Sequence, residues 1–381
     1  MSKVFEVRKA GFLNKGAAMM LIAAAREVRA AVPDAIVTVA PDHTMPFQPR
    51  ADHGLWQRAE IIRGGVDVGK VLELLPRKWR RRYGFVTEGE VDVVLDAAGL
   101  AYSDQWGLWH IQDLARRAGR WKAAGKKVVL LPQALGPFGS KQGRENIRRA
   151  AECADLIFAR DRISYGHIVD AVGEREHIRL APDFTNLLNP ADPGDSLAGF
   201  DNPVAVVPNC RMLDKTSQAE ASEYVAAMRA VVLRLRKSGL QPFLLIHEGP
   251  QDKKLGDEIN KGLDFPMTVL WPDDPLVAKG IIRDCRGVVA SRFHAIVSAL
   301  AQGVPALGTS WSHKYKEIFA DYDCPECLLQ ISVENTSYDD ALKVLTDSST
   351  HAEMRARLKS RSIALINETK KMWLQVFEVS S

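Results

Sequence analysis

No stretch of this chain approaches the roughly 18 consecutive apolar residues that a membrane span needs. Its opening, MSKVFEVRKAG, runs straight into strand-like sequence without the apolar core of a secretory signal, so a cytoplasmic protein is expected. Cysteine is scarce: five in 381 residues (Cys153, Cys210, Cys285, Cys324, Cys327), odd in number and scattered, which argues against a disulfide framework. Cys324 and Cys327 form a C-P-E-C, but no second Cys/His pair at zinc spacing accompanies it, and the pair reads as two thiols in a turn. No metal site or cofactor is expected. The net charge is only +4, too mild to indicate a nucleic-acid partner. Neither a G-x-G-x-x-G nor a Walker A sequence occurs, and internal repeats and low-complexity tracts are missing as well.

What is present is an ordinary globular composition, 46% apolar and 26% charged, long enough for two domains that each bury a core. Short apolar runs alternate with amphipathic stretches along most of the chain. Strands are expected at Lys3–Arg8, Ala35–Val39, Val91–Leu95, Lys127–Leu131, Leu156–Ala159 and Ile178–Ala181, with helices between them. The segment 189–202, NPADPGDSLAGFDN, is rich in turn formers and reads as a linker. A second alternating series follows, with strands near Val204–Val207, Phe243–Ile246, Thr268–Leu270, Gly287–Ala290, Pro305–Gly308 and Leu328–Ile331. Met354, Leu358, Leu365, Met372 and Val376 make one stripe on a long last helix. The expected division is an N-terminal α/β domain over 1–190, a second over 200–348, and a C-terminal helix over 349–381 that packs back across the domain junction. Such tandem domains would face a cleft with the carboxyl ends of their strands.

Two stretches stand apart from this pattern. Residues 41–82 read as an irregular insertion, of the kind that forms specificity loops, and end in the basic and aromatic cluster Arg77-Lys78-Trp79-Arg80-Arg81-Arg82-Tyr83. That cluster suits phosphates, an anionic lipid surface or a charged acceptor, and equally a solvated helix face. Arg160-Asp161, at a strand end, reads as an ion pair tying the strand to the following helix.

Chemistry-bearing residues fall at the joints. Asn14, Lys15 and Gly16 form a glycine-bearing turn between the first strand and the first helix, where backbone N–H groups can approach an anion. Arg292 and His294 lie between a strand and an apolar helix in ASRFHAIVSALAQGVPALGTS, a place that favours anions. Arg211, His247, His313 and Lys314 also follow expected strands. A helix-capping histidine and a loop-bridging arginine would fit the same spacing.

The block SRFHAIVSALAQGVPALGTS, followed by HKYKEIF, resembles the polysaccharide pyruvyl transferase family. NKGAAMML, LPQALGPF, ARDRISY, PDF at Pro182–Phe184, and Arg211 fit in the same order, so the resemblance spans about residues 8–320. Two departures, Asp96-Ala97-Ala98-Gly99 in place of a Gly-Gly pair and Ala17-Ala18 in place of an acidic residue, lie in the half that the resemblance implies would hold an acceptor.

The resemblance implies two Rossmann-like domains of a glycosyltransferase-B-like fold and transfer of a pyruvyl group from phosphoenolpyruvate to a sugar as a ketal. Phosphoenolpyruvate is then the donor substrate, held in the second domain, and the acceptor is a nucleotide-, lipid- or polymer-linked sugar on the N-terminal side. The product would join a capsule, a wall polymer or an exopolysaccharide. His294 would be the general acid/base beside Arg292, with Arg211, Lys314, His313, His247, Asn14, Lys15 and Gly16 binding substrate. Peripheral attachment to the inner face of a membrane would run through the Arg77–Tyr83 cluster. Two other readings fit the same outline: a nucleotide-sugar glycosyltransferase or epimerase, and a non-catalytic carbohydrate-binding protein.

Overall fold

A computed structural model describes residues 2–60, 62–63, 66–310, 312, 314–331 and 337–381. The chain divides into two compact units, the first made of Met1–Leu13, Met20–Phe184 and Glu368–Ser381, the second of Asn14–Met19 and Thr185–Asn367. The turn-rich segment 189–202 thus lies inside the second unit.

The first unit is built on short β-branched runs buried on both faces, the pattern of a parallel sheet covered by helices. Its strands are β1 (Val4–Arg8), β2 (Ile36–Val39), β3 (Trp56–Arg58), then a small antiparallel pair β4 (Ile62–Arg63) and β5 (Val66–Asp67), and β6 (Phe85–Val86), β7 (Val93–Asp96), β8 (Lys127–Gln133), β9 (Leu156–Ala159) and β10 (Ile178–Leu180). Eight of them form one parallel sheet in the order β10-β9-β8-β7-β1-β2-β3-β6. The helices are α1 (Lys15–Ala31), α2 (Phe47–Asp52), α3 (Arg77–Arg82), α4 (Trp109–Ala123), α5 (Lys141–Cys153) and α6 (Arg162–Val172). Strand order reverses between β1 and β7, so their carboxyl ends form a switch point, where open α/β sheets take ligands.

One expectation changes here and another is extended. Residues 41–82 are not irregular where described: they supply α2, α3 and β3, and β3 pairs with β2 and β6 to extend the sheet. Two- and three-residue strands carry too little periodicity to be seen in sequence. Arg160 reaches Asp183 at 3.0 Å, while the Asp161 side chain accepts the Ser164 N–H and caps α6. The buried pair therefore ties the end of β9 to the segment after β10, two places the sequence leaves 23 residues apart.

The second unit carries β11 (Pro203–Val207), β12 (Gln241–Leu245), β13 (Val269–Leu270), β14 (Gly287–Ala290), β15 (Ala306–Thr309) and β16 (Leu328–Leu329). All are parallel, in the order β13-β12-β11-β14-β15-β16, with the switch point between β11 and β14. Around them lie α7 (Arg211–Asp214), α8 (Gln218–Lys237), α9 (Pro250–Lys261), α10 (Pro275–Arg283), α11 (Phe293–Ala301), α12 (Lys314–Asp321) and α13 (Ser337–Thr346). The last helix, α14 (Ser348–Ser380), contributes to both units: its residues to Asn367 belong to the second and those from Glu368 to the first. Every member of its predicted stripe, Met354 through Val376, is buried. No helix among the described residues is long and apolar enough to cross a membrane.

Cys324 and Cys327 are free thiols inside the second unit's core, and the neighbouring Cys324 together with burial pushes the Cys327 thiol up. Cys327, its thiolate so disfavoured, is therefore inert.

Candidate active site

In the second unit, the carboxyl ends of β11, β12, β14 and β15 deliver a polar set around the switch point. Tight hydrogen bonds hold its frame. Asn209, just after β11, donates to the Ser291 carbonyl at 2.8 Å, and the Tyr315 hydroxyl donates to the same carbonyl at 2.8 Å. The Ser291 hydroxyl lies 2.6 Å from both the Tyr224 hydroxyl and the Thr309 hydroxyl. The backbone on either side of Ser291 is thus fixed from α8, β15 and α12, so Arg292 and His294 start from a rigid anchor.

Arg292 is the N-cap residue of α11 and is largely buried. Its guanidinium forks onto Asp252, Nε to Oδ2 at 2.7 Å and an Nη to Oδ1 at 2.6 Å, and it also pairs with Glu248. Burial pushes the guanidinium down to about 10 and the Asp252 carboxyl up to about 6, the latter opposed by the Cys210 N–H, Arg211 and Lys15. Both groups stay charged at neutral pH. An anion that reaches Arg292 therefore competes with two carboxylates. Asp252 is a site residue that the sequence does not announce: it reads as an ordinary first-turn acid of α9.

His294 occupies the second position of α11, and the glycine-bearing turn comes against it. A Cβ placed on Gly16 would fall inside the van der Waals sphere of His294 Nδ1, so only glycine allows this approach. Asn14 caps its own helix, its side-chain oxygen accepting the Ala17 N–H at 3.1 Å. Lys15 is buried, its ammonium pushed down by burial and drawn back by Asp273 and Asp252.

His247 follows β12 and is buried. Burial, with Lys15, Arg292 and His294 nearby, holds its imidazole well below the ordinary range. Its Nε2 has no hydrogen-bond partner among the described residues. A neutral imidazole with an unmet ring nitrogen is suited to a ligand's polar group.

The remaining expected residues divide. Arg211 opens α7 half-exposed and pairs with Asp214, yet it lies near enough to influence both Asp252 and Arg292. Lys314 starts α12 with Nζ 5.1 Å from the Phe293 ring centre and 5.5 Å from that of Tyr315. His313 lies outside the described residues. The structure thus brings together Lys15, Gly16, His247, Arg292 and His294, with Arg211 beside them and Lys314 one residue row away through Phe293, which meets His294 edge-on at 5.3 Å. Among the described residues, no group of three or more His, Cys, Asp or Glu side chains is placed to hold a metal ion.

The fold defines a class: two Rossmann-like α/β units of the glycosyltransferase-B-like kind. Solved structures agree. HepE of Anabaena, in complex with UDP and glucose, is 15% identical with a TM-score of 0.59 over 100% of this chain and 99% of that one. The UDP-GlcNAc 2-epimerase of Neisseria meningitidis, bound to UDP-GlcNAc, is 11% identical with a TM-score of 0.63 over 99% and 100%. MnaA of S. aureus, solved with UDP, is 12% identical with a TM-score of 0.55 over 98% and 97%. At such identities the likeness speaks for the fold alone. No curated protein sequence matches the chain. The model of the polysaccharide pyruvyl transferase family matches residues 14–313, and the chain belongs to that family. The match begins at Asn14 and runs past Arg292 and His294, so it includes both sides of the Gly16–His294 contact.

Proposed function

We propose that this protein transfers the pyruvyl group of phosphoenolpyruvate to a sugar as a cyclic ketal, and that the second unit holds the donor. The observation that carries this reading is the convergence, inside the family-matched region, of two cations and a close-packed imidazole: Lys15, Arg292 and His294 around Gly16. Phosphoenolpyruvate carries a phosphate and a carboxylate. Lys15 and Arg292, with Arg211 and Lys314 at the margin, are the cations assigned to them.

In the proposed reaction His294 delivers a proton to the methylene carbon, leaving an oxocarbenium-like centre at the neighbouring carbon. One sugar hydroxyl adds there, the bond to the phosphate oxygen breaks, and a second hydroxyl closes the ring. One hydroxyl proton replaces the one given by His294 and the other leaves with phosphate. General acid/base catalysis of this kind is worth roughly 10²- to 10⁴-fold.

The acceptor is assigned to the switch point of the first unit. There Tyr102 donates to the buried Asp96 at 2.7 Å, and the Lys9 ammonium stands 5.0 Å from the ring centre of the exposed Trp109, an apolar face for a sugar. We take the carrier to be a nucleotide, a lipid or a polymer, and the site of action to be the cytoplasm. A nucleotide-sugar glycosyltransferase or epimerase is the second reading, favoured by the UDP and UDP-GlcNAc held by solved structures of the same fold.

The test is incubation with phosphoenolpyruvate and a panel of free, nucleotide-linked and lipid-linked sugars, reading phosphate release and the ketal mass increase. Acceptor-dependent phosphate release that drops at least about 100-fold in His294→Ala is expected. Consumption of a nucleotide sugar without phosphoenolpyruvate would replace this reading with the second.

A further inference from the structure

The basic cluster at α3 takes no part in either switch point. Its six helical residues divide into two faces. Arg77, Arg80 and Arg81 all turn toward one carboxylate, Glu90: Arg77 Nε at 2.8 Å, Arg80 at 2.8 Å and Arg81 at 3.9 Å. Glu90 is itself fixed by the Thr87 N–H at 3.0 Å. Lys78, Trp79 and Arg82 occupy the opposite, solvent face. Arginines are tied down on the protein side while the tryptophan points out, the reverse of a helix that packs by its apolar stripe.

The outward face continues beyond the helix. Leu74 is 84% exposed, Trp79 60% and Tyr83 66%, with Val71 and Leu75 also exposed. Trp79 and Tyr83, the latter at the helix's C-terminal cap, lie four apart and so share one side. Tyr83 in turn borders a surface groove of about 420 Å3 whose other walls include the exposed Phe47 and the half-buried Trp56 and Phe85. Large apolar side chains concentrated on one surface, rimmed by Lys78 and Arg82, mark a docking site rather than scattered exposure.

We propose that this face docks on an anionic lipid bilayer. Trp79 and Tyr83 have the amphipathic rings that settle at headgroup level, and Leu74, Leu75 and Val71 are the groups that enter the acyl boundary. Lys78 and Arg82 stand where they meet lipid phosphates. Charge decides against the other occupants. A second copy seated across a two-fold axis would bring Lys78 and Arg82 of one chain against the same pair of the other. A nucleic acid would need a longer track of cations than the two that α3 turns outward, because Glu90 engages the helix's other three.

The experiment is co-sedimentation of the full chain with two kinds of vesicle, phosphatidylcholine alone and an equal mixture with phosphatidylglycerol. The wild type is expected to bind the mixed vesicles and to bind phosphatidylcholine at least about tenfold more weakly. Lys78→Gln and Arg82→Gln are each expected to weaken binding to the mixed vesicles about fivefold. The double variant Leu74→Ser with Trp79→Ser is expected to abolish it, with unchanged thermal unfolding because both side chains are exposed. Equal binding to the two vesicle types, or no binding to either, overturns the proposal. So does retained binding by the serine variant, or a wild-type self-association that the serine variant loses.

Discussion

The α-carbon of Gly16 lies against the imidazole of His294, so closely that a methyl group between them would overlap Nδ1. Gly16 is a helical residue without a left-handed backbone, so alanine there would ordinarily stabilise α1 by up to about 1 kcal/mol. Here the opposite sign is expected. Gly16→Ala should lose about 1–3 kcal/mol through overpacking and lower turnover by displacing His294. Urea unfolding and steady-state kinetics check both, and a variant more stable than wild type would show that the contact yields freely.

Arg292 and Asp252 form a buried, forked pair. Removing the cation alone leaves a buried carboxylate, so Arg292→Ala should cost about 3–5 kcal/mol at pH 8. The Asp252 carboxyl is already pushed up to about 6, and without Arg292 it can take a proton in acid. The loss should therefore be smaller at pH 5. Adding Asp252→Asn should restore part of the stability at pH 8, read as a coupling energy in a double-mutant cycle.

His247 predicts an acid-side slope. Its folded-state pKa lies well below the ordinary histidine value of about 6.5. Above pH 6.5 neither state binds the proton and the contribution is intact. As the pH falls below that, the unfolded chain protonates first and stability drops by up to about 1.4 kcal/mol per pH unit. Asp252 runs the other way: its folded value of about 6 exceeds the unfolded value of about 3.9, so its share is present in acid and lost as pH rises through about 6. Comparing wild type with His247→Gln between pH 7 and pH 5 isolates the histidine, and the variant should lack the acid-side slope.

Lys15 should act on donor binding more than on turnover. Replacing it by glutamine removes one charge-assisted contact, and the KM for phosphoenolpyruvate is expected to rise about 10- to 100-fold. Burial lowers the lysine, so in the wild type donor affinity should begin to fall at a pH below the ordinary lysine range. Lys15→Arg keeps the charge and should remove that alkaline loss. An unchanged KM in Lys15→Gln would take Lys15 out of the site.

The longer strands and helices were legible because their signal is local. β9 and β14 have the bounds that the apolar runs predict, and the stripe on α14 is buried throughout. β3 and β6 were not legible, since two or three residues cannot show a period. His294 and Gly16 were each visible as joint residues, but 278 positions separate them and nothing in either segment states that they touch.

By itself the sequence determined two α/β series, their strand-end joints and the family to which the central block points, because side-chain period and turn chemistry act over a few residues. Tertiary structure alone decided which charges are available. It set Asp252 and Glu248 against Arg292 and left His247 Nε2 without a partner among the described residues. It also turned three of the five cations of α3 onto Glu90 and the other two outward with Trp79. Charge state and exposure depend on what folding brings within a few ångströms, and these partners come from strand ends and helix starts that only the closed sheet places side by side.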